Sequence, residues 1–352
     1  MADTFNYRID HHGSLVRPDS LRTARARAAA GELDADALRE AERTAVEEAV
    51  ALQRKLRCTV VTDGDLPRED FRSAVLDGVS GFRRTGRETD GLARWVAEAP
   101  PKAEGPLVAD WADLLAQLTV IAPKVSLPSP AYLAATCFDP DLAGSGGPAS
   151  ARELGEALAG IVHAEIGLLL ARGVRLVQLN NPLLLAHTAA EPGPAGALSF
   201  ADALAVDAAA VRLDERPEGV RIGVCPGWAA PDTVDRARAE RLYAEVPADR
   251  WVLPYDRGTG AELELLRALP EDRDACLGVV GPAVPVGEDP DIDTVLARVD
   301  AAAEVKDIED MALAPSRGFA DAAGRPLLGA EDQRRKLVLV ETLARYCWGN
   351  EF

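Results

Sequence analysis

Polar side chains suited to acid–base chemistry stand directly after two short apolar runs near the start of the sequence. The first run ends in DHHGS at positions 10–14, and the second ends in TDGD at positions 62–65. Histidines and carboxylates with shifted pKa values are the common general acids and bases of enzymes. We therefore predict His11, His12 and Asp65 as catalytic residues.

Comparable groups follow later apolar runs and extend the predicted site. Tyr255 and Asp256 complete the predicted catalytic set. The predicted substrate-binding residues are Ser14, Asn180, Asn181, Cys225, Trp228 and Arg317. Singly, each has an ordinary structural explanation: a carboxylate before Leu66-Pro67 can cap a helix, two asparagines before a proline can form a turn, and a free cysteine is usually a small buried apolar residue. Their occurrence at most of the run ends favours a shared site.

The apolar runs alternate with helical stretches rich in Ala, Leu, Arg and Glu, and this pattern predicts the fold. The predicted strands are Tyr7–Leu15, Cys58–Asp65, Lys124–Pro128, Arg175–Pro182, Arg221–Gly227, Arg250–Asp256, Ala275–Gly281 and Met311–Phe319. Near-continuous apolar strands are typical of parallel sheets that are covered on both faces. Strands that alternate with helices in this way predict a single (β/α)₈ barrel domain over residues 1–352, in which the polar strand ends meet. A doubly wound sheet is the alternative, disfavoured because no GxGxxG turn follows the first strand.

Two stretches depart from the regular alternation of strands and helices. One lies near residues 76–106 and contains Trp95, and the other lies near residues 138–148. Both follow the ends of predicted strands, where barrels carry active-site loops and lids. We expect both stretches to be loop excursions beside the site.

Net charge and cysteine content exclude several classes of function. The 352 residues include 39 Lys and Arg against 57 Asp and Glu, which gives a formal net charge of −18. Such a charge repels nucleic acids and anionic membranes, so the expected partner is a small-molecule substrate. Five widely spaced cysteines without a CxxC pair argue against disulfides and zinc ribbons. With neither a signal-peptide pattern nor an apolar stretch of membrane-spanning length, we expect a cytoplasmic protein, whose oligomeric state the sequence does not predict.

Five segments, in order over most of the chain, resemble the cobalamin-independent methionine synthase family in its short, single-barrel branch. RIDHHGSLVRP at 8–18 is similar to the family's RxxHxGSxxRP opening, and VVTDGD followed by Arg68 is similar to its TDGE with a nearby Arg. KVSLPSP, VQLNNP and LAPSRGF stand where the family has its PSP, QxDEP and Cys-Gly-Phe segments. The resemblance implies a barrel of the methionine synthase and uroporphyrinogen decarboxylase-like type, and a zinc-dependent methyl transfer to a thiol.

The positions that match the family's zinc ligands do not keep them. The family uses His-x-Cys on strand five, Glu on strand six and Cys on strand eight. Here these positions read Gly223 and Cys225, then Pro254 with Asp256 two residues along, then Arg317. Zinc needs three or four ligands, and a guanidinium about 4 Å from a cation costs roughly 4 kcal/mol per unit charge at an effective dielectric near 20. We predict no metal site, with a slip in the alignment as the alternative.

The same comparison changes the substrate that the resemblance implies. The family's ammonium-binding Asp is Asn180 here, and the neighbouring Glu is Asn181. Two negative charges are lost and Arg317 adds a positive one, which can bind a carboxylate or phosphate. We therefore expect an anionic or neutral substrate instead of a zwitterionic amino acid with a free thiol.

Three functions remain open at the level of sequence. The first is a zinc-independent methyl transfer from a reduced folate, 5-methyltetrahydrofolate, to an acceptor other than homocysteine, with no tightly bound cofactor and with Trp228 or Trp95 under the folate ring. The second is a zinc-free lyase, isomerase or hydrolase acting on a small anion, with Cys225 as a potential nucleophile. The third is a non-catalytic relative that binds a ligand, which the many polar strand ends disfavour.

Overall fold

Seven parallel strands form one curled sheet that runs through the protein. A computed structural model describes residues 7–89, 91–143, 145–191, 197–285 and 287–349. Its strands are β1 (Val60–Val61), β2 (Val79–Thr89), β3 (Leu92–Ala103), β4 (Ala122–Pro128), β5 (Leu176–Asn180), β6 (Arg221–Cys225), β7 (Arg250–Pro254), β8 (Asp274–Val280), β9 (Met311–Pro315), β10 (Ala320–Ala322) and β11 (Arg325–Pro326). The order within the sheet is β1-β4-β5-β6-β7-β8-β9.

Helices separate most of these strands and pack around the sheet. They are α1 (Asp19–Ala29), α2 (Ala35–Lys55), α3 (Ser73–Leu76), α4 (Ala109–Leu118), α5 (Pro130–Cys137), α6 (Ala151–Ala171), α7 (Phe200–Val211), α8 (Arg236–Glu245), α9 (Gly260–Arg267), α10 (Ile292–Ala303) and α11 (Ala330–Trp348). Every residue of β5, β7 and β9 is buried. The prediction of parallel strands covered by helices is therefore confirmed, and seven of the eight predicted runs contribute a strand to the sheet.

The predicted first strand, Tyr7–Leu15, forms only isolated bridges. Ile9 pairs in parallel with Leu313 of β9, while the amide of Thr59, just before β1, donates to the Ile9 carbonyl at 3.1 Å. The segment thus lies between the two ends of the sheet, but it does not form the eighth strand that we predicted. The Asp10 carboxylate accepts a hydrogen bond from the His11 amide at 2.6 Å, and Gly13 has a positive φ of 73°. Both features oppose a regular ladder.

A buried charge cluster holds this segment inside the sheet. Lys124 of β4 donates to both carboxylate oxygens of Asp10 at 2.9 and 3.0 Å, and Arg250 of β7 donates to one of them at 3.0 Å. Burial opposes ionisation of Asp10, but the two cations outweigh it and hold its pKa well below the usual range. The segment therefore reaches the site from a fixed anchor.

Helix α6 is long and apolar enough to cross a membrane by length and composition alone. In this fold one side of the helix faces the protein core, with Leu154, Leu158 and Val162 fully buried, whereas Leu168 is exposed. The helix starts at Ser150, whose side chain accepts the Glu153 amide, and it ends just before Gly173, whose φ is 87°. These two features are common start and end signals of an α-helix.

The stretch near residues 76–106 is a β-hairpin, whereas we had expected a loop. Strands β2 and β3 pair antiparallel from Val79 opposite Ala103 to Thr89 opposite Leu92, and the register shifts between Arg84 and Glu88. β3 packs against α5 and α6. The second excursion, near 138–148, contains one turn of 3₁₀ helix at Pro140–Leu142, and its residue 144 lies outside the described residues.

Candidate active site

A cavity of about 720 Å³ opens at the carboxyl ends of the sheet. Five of the predicted site residues line it: His12 and Ser14 from the N-terminal segment, Asn180 at the end of β5, Trp228 after β6, and Arg317 after β9. They come from four separate segments of the chain. A shared edge of parallel strands brings such residues together, as expected for this class of fold.

The other six predicted residues do not line this cavity. They are His11, Asp65, Tyr255, Asp256, Asn181 and Cys225. Tyr255 is 3% exposed within the core. Asp256 accepts a hydrogen bond from Ser316 at 2.8 Å. The structure thus separates this pair from the cavity, although both residues follow β7 directly.

Asn181 supports the start of α5. Its Nδ2 donates to Ser129 Oγ and to Asp207 Oδ2, both at 2.9 Å, and Ser129 accepts the Tyr132 amide as the helix N-cap. Asp207 is fully buried and accepts from Ser129 at 2.6 Å. These contacts occupy the amide group of Asn181, so its geometry indicates a structural role.

Cys225 lies in a small apolar cluster with Val252, Cys276 and Ala312. Its side chain is buried, and burial raises the pKa of its thiol to about 12. The thiolate, which is the nucleophilic form, is therefore rare at neutral pH. This environment disfavours Cys225 as a nucleophile.

The two histidines are neutral at physiological pH. Burial and the nearby charge of Lys124 lower the pKa of His11 to about 4 and that of His12 to about 3. The Nε2 atom of His12 is 2.7 Å from the Pro315 carbonyl. A carbonyl can only accept, so Nε2 carries the proton and Nδ1 carries the lone pair. His12 is therefore suited to accept a hydrogen bond from a ligand, and it is a weak general base.

Ser14 connects the cavity to a buried carboxylate. Its Oγ donates to Asp65 Oδ2 at 3.2 Å, and Arg68 donates to the other oxygen of Asp65 at 2.9 Å. Burial raises the pKa of Asp65. Asp65 also has a φ of 53°, a left-handed conformation that is costly for a residue other than glycine. Such backbone strain is concentrated at functional sites.

Arg317 and Trp228 form a stacked pair at the cavity wall. The Arg317 guanidinium lies 4.7 Å from the centre of the Trp228 ring, in the geometry of a cation–π contact. Arg317 also forms an ion pair with Asp321, which lines the same cavity. The pair combines a flat surface with a positive charge that already has a counter-ion.

Two further arginines line the cavity and were not predicted. Arg72 binds Asp70 through two hydrogen bonds of 2.8 and 2.6 Å, whereas Arg94 of β3 lies 3.6 Å from Asp139. Each has an aromatic neighbour in the sequence that also lines the cavity, Phe71 in one case and Trp95 in the other. An arginine next to an aromatic residue is the sequence signal that could have identified both arginines. Neither pair lies at the end of a predicted strand, and the sequence prediction considered only strand ends.

The positions that would hold zinc in the resembling family do not fit the ion. Cys225 is packed among apolar side chains, Pro254 carries no donor atom, and Arg317 is paired with Asp321. Throughout the part of the chain that the structure describes, no three His, Cys, Asp or Glu side chains converge as metal ligands. These positions therefore do not supply the three or four ligands that zinc needs.

Solved structures of other proteins share this fold. This chain has the fold of a putative vitamin-B12 independent methionine synthase from Listeria monocytogenes, at 22% identity and a TM-score of 0.75 over 98% of both chains. A B12-independent methionine synthase from a Shewanella species, solved with selenomethionine, is 16% identical with a TM-score of 0.74 over 97% of both chains. The α/β fold with a curled parallel sheet that the family resemblance implied is thus confirmed, whereas the predicted closure into an eight-stranded barrel is not.

One further solved structure and two curated sequences are also similar to this chain. A methyltransferase from Methanosarcina mazei is 11% identical with a TM-score of 0.55, over 96% of this chain and 93% of that one. Two Bacillus subtilis proteins of uncharacterised function, YxjH and YxjG, are each 26% identical over 97% of this chain and 95% of their own length. No family model matches the sequence.

Proposed function

We propose that the protein is a methyltransferase-like enzyme that takes the methyl group of 5-methyltetrahydrofolate and passes it, without zinc, to an acceptor other than homocysteine. The observation that carries this proposal is the cavity at the strand ends, where Arg317 stacks on Trp228 in a fold shared with methionine synthases. We also propose a cytoplasmic location, in keeping with five free cysteines.

The shape and lining of the cavity support a folate-like donor. Its volume of about 720 Å³ is within the usual range for small-molecule sites. The ring of Phe71 lies 5.3 Å from Tyr132 and 6.4 Å from Trp228, so three aromatic side chains form a row along the wall. Such a row suits the fused ring and the benzoyl ring of a folate, and the arginines suit its carboxylates.

Methyl transfer without a metal needs an acceptor that is already nucleophilic, or a side chain that takes the acceptor's proton. The pair of Ser14 and Asp65 can do this, because Ser14 faces the cavity and donates to Asp65. As the acceptor attacks the methyl carbon, its proton passes to Ser14 Oγ while the Ser14 proton passes to Asp65. The methyl–nitrogen bond of the folate breaks with its electron pair on the nitrogen, which takes a proton from solvent, so that neutral tetrahydrofolate leaves and Asp65 later returns its proton to solvent.

The donor is tested by titrating the purified protein with 5-methyltetrahydrofolate and following tryptophan fluorescence. We expect saturable quenching in the wild type and at least about tenfold weaker binding in Trp228→Ala. Trp111→Ala is the matched control, since Trp111 also carries a stacked arginine, Arg39, but lies outside the cavity. Elemental analysis of the same protein should find zinc far below stoichiometric amounts. Absence of folate binding would contradict the proposed donor, and stoichiometric zinc would contradict the metal-free chemistry.

The geometry of Ser14 and Asp65 also favours a second candidate function. A strained, buried carboxylate that accepts from a cavity hydroxyl suits proton transfer in a lyase, isomerase or hydrolase acting on a small anion. Folate titration separates the candidates, because this one predicts no folate binding together with thermal stabilisation by small dicarboxylates or phosphate esters. The same stabilisation with no turnover of any of these compounds would indicate a ligand-binding protein.

A further inference from the structure

The three arginines of the cavity differ in how firmly protein carboxylates hold them. Arg72 is 6% exposed and binds both oxygens of Asp70, and Arg317 is closely paired with Asp321. Arg94 is 35% exposed, and its one ion-pair partner among the described residues is Asp139 at 3.6 Å. That distance exceeds a normal hydrogen bond. Arg94 is therefore the cavity guanidinium most available to a ligand.

The hairpin presents Arg94 to the cavity in an unusual way. Consecutive side chains of a strand normally point to opposite faces, yet Leu92, Arg94 and Trp95 all line the cavity. The register of the hairpin shifts between Arg84 and Glu88, on the strand opposite this stretch. Irregularities of this kind redirect side chains and are frequent beside active sites. The hairpin thus contributes both a cation and an aromatic ring to one wall.

Arg94 and Arg317 line the cavity from different elements of the fold. Trp228, under Arg317, begins the row of aromatic rings, and Tyr132 of α5 ends it. Arg94, on β3, pairs with Asp139, which follows the carboxyl end of α5. The hydrogen-bonding groups Ser14 and Asn180 belong to the edge of the sheet. A ligand that carries both a ring and a separate acid can contact the aromatic row and Arg94 within this one cavity.

We infer that Arg94 is a carboxylate-binding residue, which holds the glutamyl end of the folate donor, and that the β2–β3 hairpin thereby selects the donor. This assignment rests on the proposed function. The ligand carboxylate replaces the long contact to Asp139 with a charge-assisted hydrogen bond, which is shorter and stronger. The folate ring then lies toward Trp228 and Ser14, where its methyl group is needed.

The assignment is tested by measuring the dissociation constant of 5-methyltetrahydrofolate for variants of Arg94. Arg94→Ala should weaken folate binding at least about tenfold. The affinity of Arg94→Lys should lie between those of the wild type and Arg94→Ala, because lysine keeps the charge but lacks the planar guanidinium. Arg83→Ala is the matched control: Arg83 is on the same hairpin, pairs with Glu98 at 2.6 Å and does not line the cavity. Binding by this control should stay within about twofold of the wild type.

Asp139→Asn provides a variant whose expected gain of affinity cannot come from misfolding. It removes the competing charge and keeps the side-chain oxygen that accepts the Asp141 amide at 3.1 Å, so folate binding should become tighter. A competitor that carries the carboxylates without the fused ring, p-aminobenzoylglutamate, should displace folate from the wild type and lose at least about tenfold in potency with Arg94→Ala.

The outcomes separate the two proposals. Unchanged folate affinity in Arg94→Ala, or weaker binding in Asp139→Asn, overturns the assignment of Arg94 and leaves the folate donor in place. Absence of folate binding by the wild type overturns the donor and the assignment together. A loss of affinity in Arg94→Ala, with normal affinity in Arg83→Ala and a gain in Asp139→Asn, supports both.

Discussion

His11 and His12 are neighbours in the sequence with different surroundings in the fold. His12 lines the cavity, whereas the Nδ1 of His11 lies 3.1 Å from the hydroxyl oxygen of Thr62, and its buried Nε2 has no partner among the described residues. Both rings are neutral because burial opposes their charged form. At this scale, environment and not residue type decides which group can act as a base, and the Ser14–Asp65 pair is the better candidate.

The lowered pKa of His11 predicts a loss of stability in mild acid. Its folded pKa of about 4 lies below the unfolded value of 6.5, so the unfolded state takes up the proton first. The contribution of the neutral His11 ring to the free energy of unfolding is complete above the unfolded pKa and is lost as the pH drops toward the folded pKa. Between about pH 7 and pH 5 the loss from this one ring is about 2 kcal/mol. Urea unfolding at the two pH values should show a smaller difference in His11→Gln than in the wild type, and equal differences would contradict the prediction.

The burial of the cysteines predicts a simple pattern of thiol reactivity. Cys347 in α11 is half-buried. The other four cysteines are buried: Cys58, Cys137, Cys225 and Cys276. Burial raises the pKa of Cys225 to about 12 and that of Cys347 to about 11, so exposure decides the rate. With a chromogenic disulfide, the native protein should react first at Cys347, and all cysteines should react in guanidinium. Fast labelling of Cys225, located by mass spectrometry, would restore it as a candidate nucleophile.

At the scale of elements, the two asparagines at the end of β5 have different roles, one in the cavity and one in supporting a helix. Asn180 and Asn181 are adjacent, yet Asn180 lines the cavity and Asn181 holds Ser129 and Asp207. The sheet directs one side chain toward the strand ends and the other toward the helices. The start of α5, and with it Tyr132 in the cavity wall, depends on this support.

The adjacent asparagines provide a matched pair of variants. Asn181→Ala should lower the free energy of unfolding by about 1–3 kcal/mol, because Asp207 stays buried with one oxygen left without its partner. Asn180→Ala should weaken ligand binding more than it lowers stability. Chemical denaturation and folate titration of both variants measure the contrast. The reverse pattern would show that the two residues have been assigned in the wrong order.

At the scale of the whole molecule, the cavity departs from the overall charge. The protein has a formal net charge of −18, while Arg72, Arg94 and Arg317 line the cavity at the strand ends. Local cations with carboxylate partners can exchange those partners for a ligand acid, and the surrounding negative charge discourages anionic polymers. The charge distribution therefore fits a small anionic ligand.

This distribution predicts that macromolecular anions do not bind. At about 150 mM salt, the protein should neither sediment with phosphatidylserine vesicles nor retard duplex DNA, because the long-range field repels both. Phosphatidylcholine vesicles are the control for binding that does not depend on charge. Binding of the protein to phosphatidylserine vesicles or to DNA would mean that it has a basic surface that the net charge hides.

The sequence by itself determined the parallel strands, the helices between them and the segments that resemble methionine synthases. Strand-like apolar runs and helix caps such as Ser150 are local properties of the sequence, so they can be recognised without the fold. The hairpin at Val79–Ala103 was expected as a loop, since its pairing joins residues whose register is irregular. The N-terminal segment was expected as a full strand, since its anchoring by Lys124 and Arg250 is not visible in its own sequence.

Only the tertiary structure decided which polar residues share the cavity. His12 and Asn180 line it and their neighbours His11 and Asn181 do not, because a shift of one residue along an extended segment reverses the direction of the side chain. The direction depends on partners far along the chain, such as Asp207 for Asn181. Arg94 reaches the site from a hairpin outside the parallel sheet, so the rule that locates sites at strand ends could not find it. Local patterns specify elements, whereas a site is specified by contacts between elements.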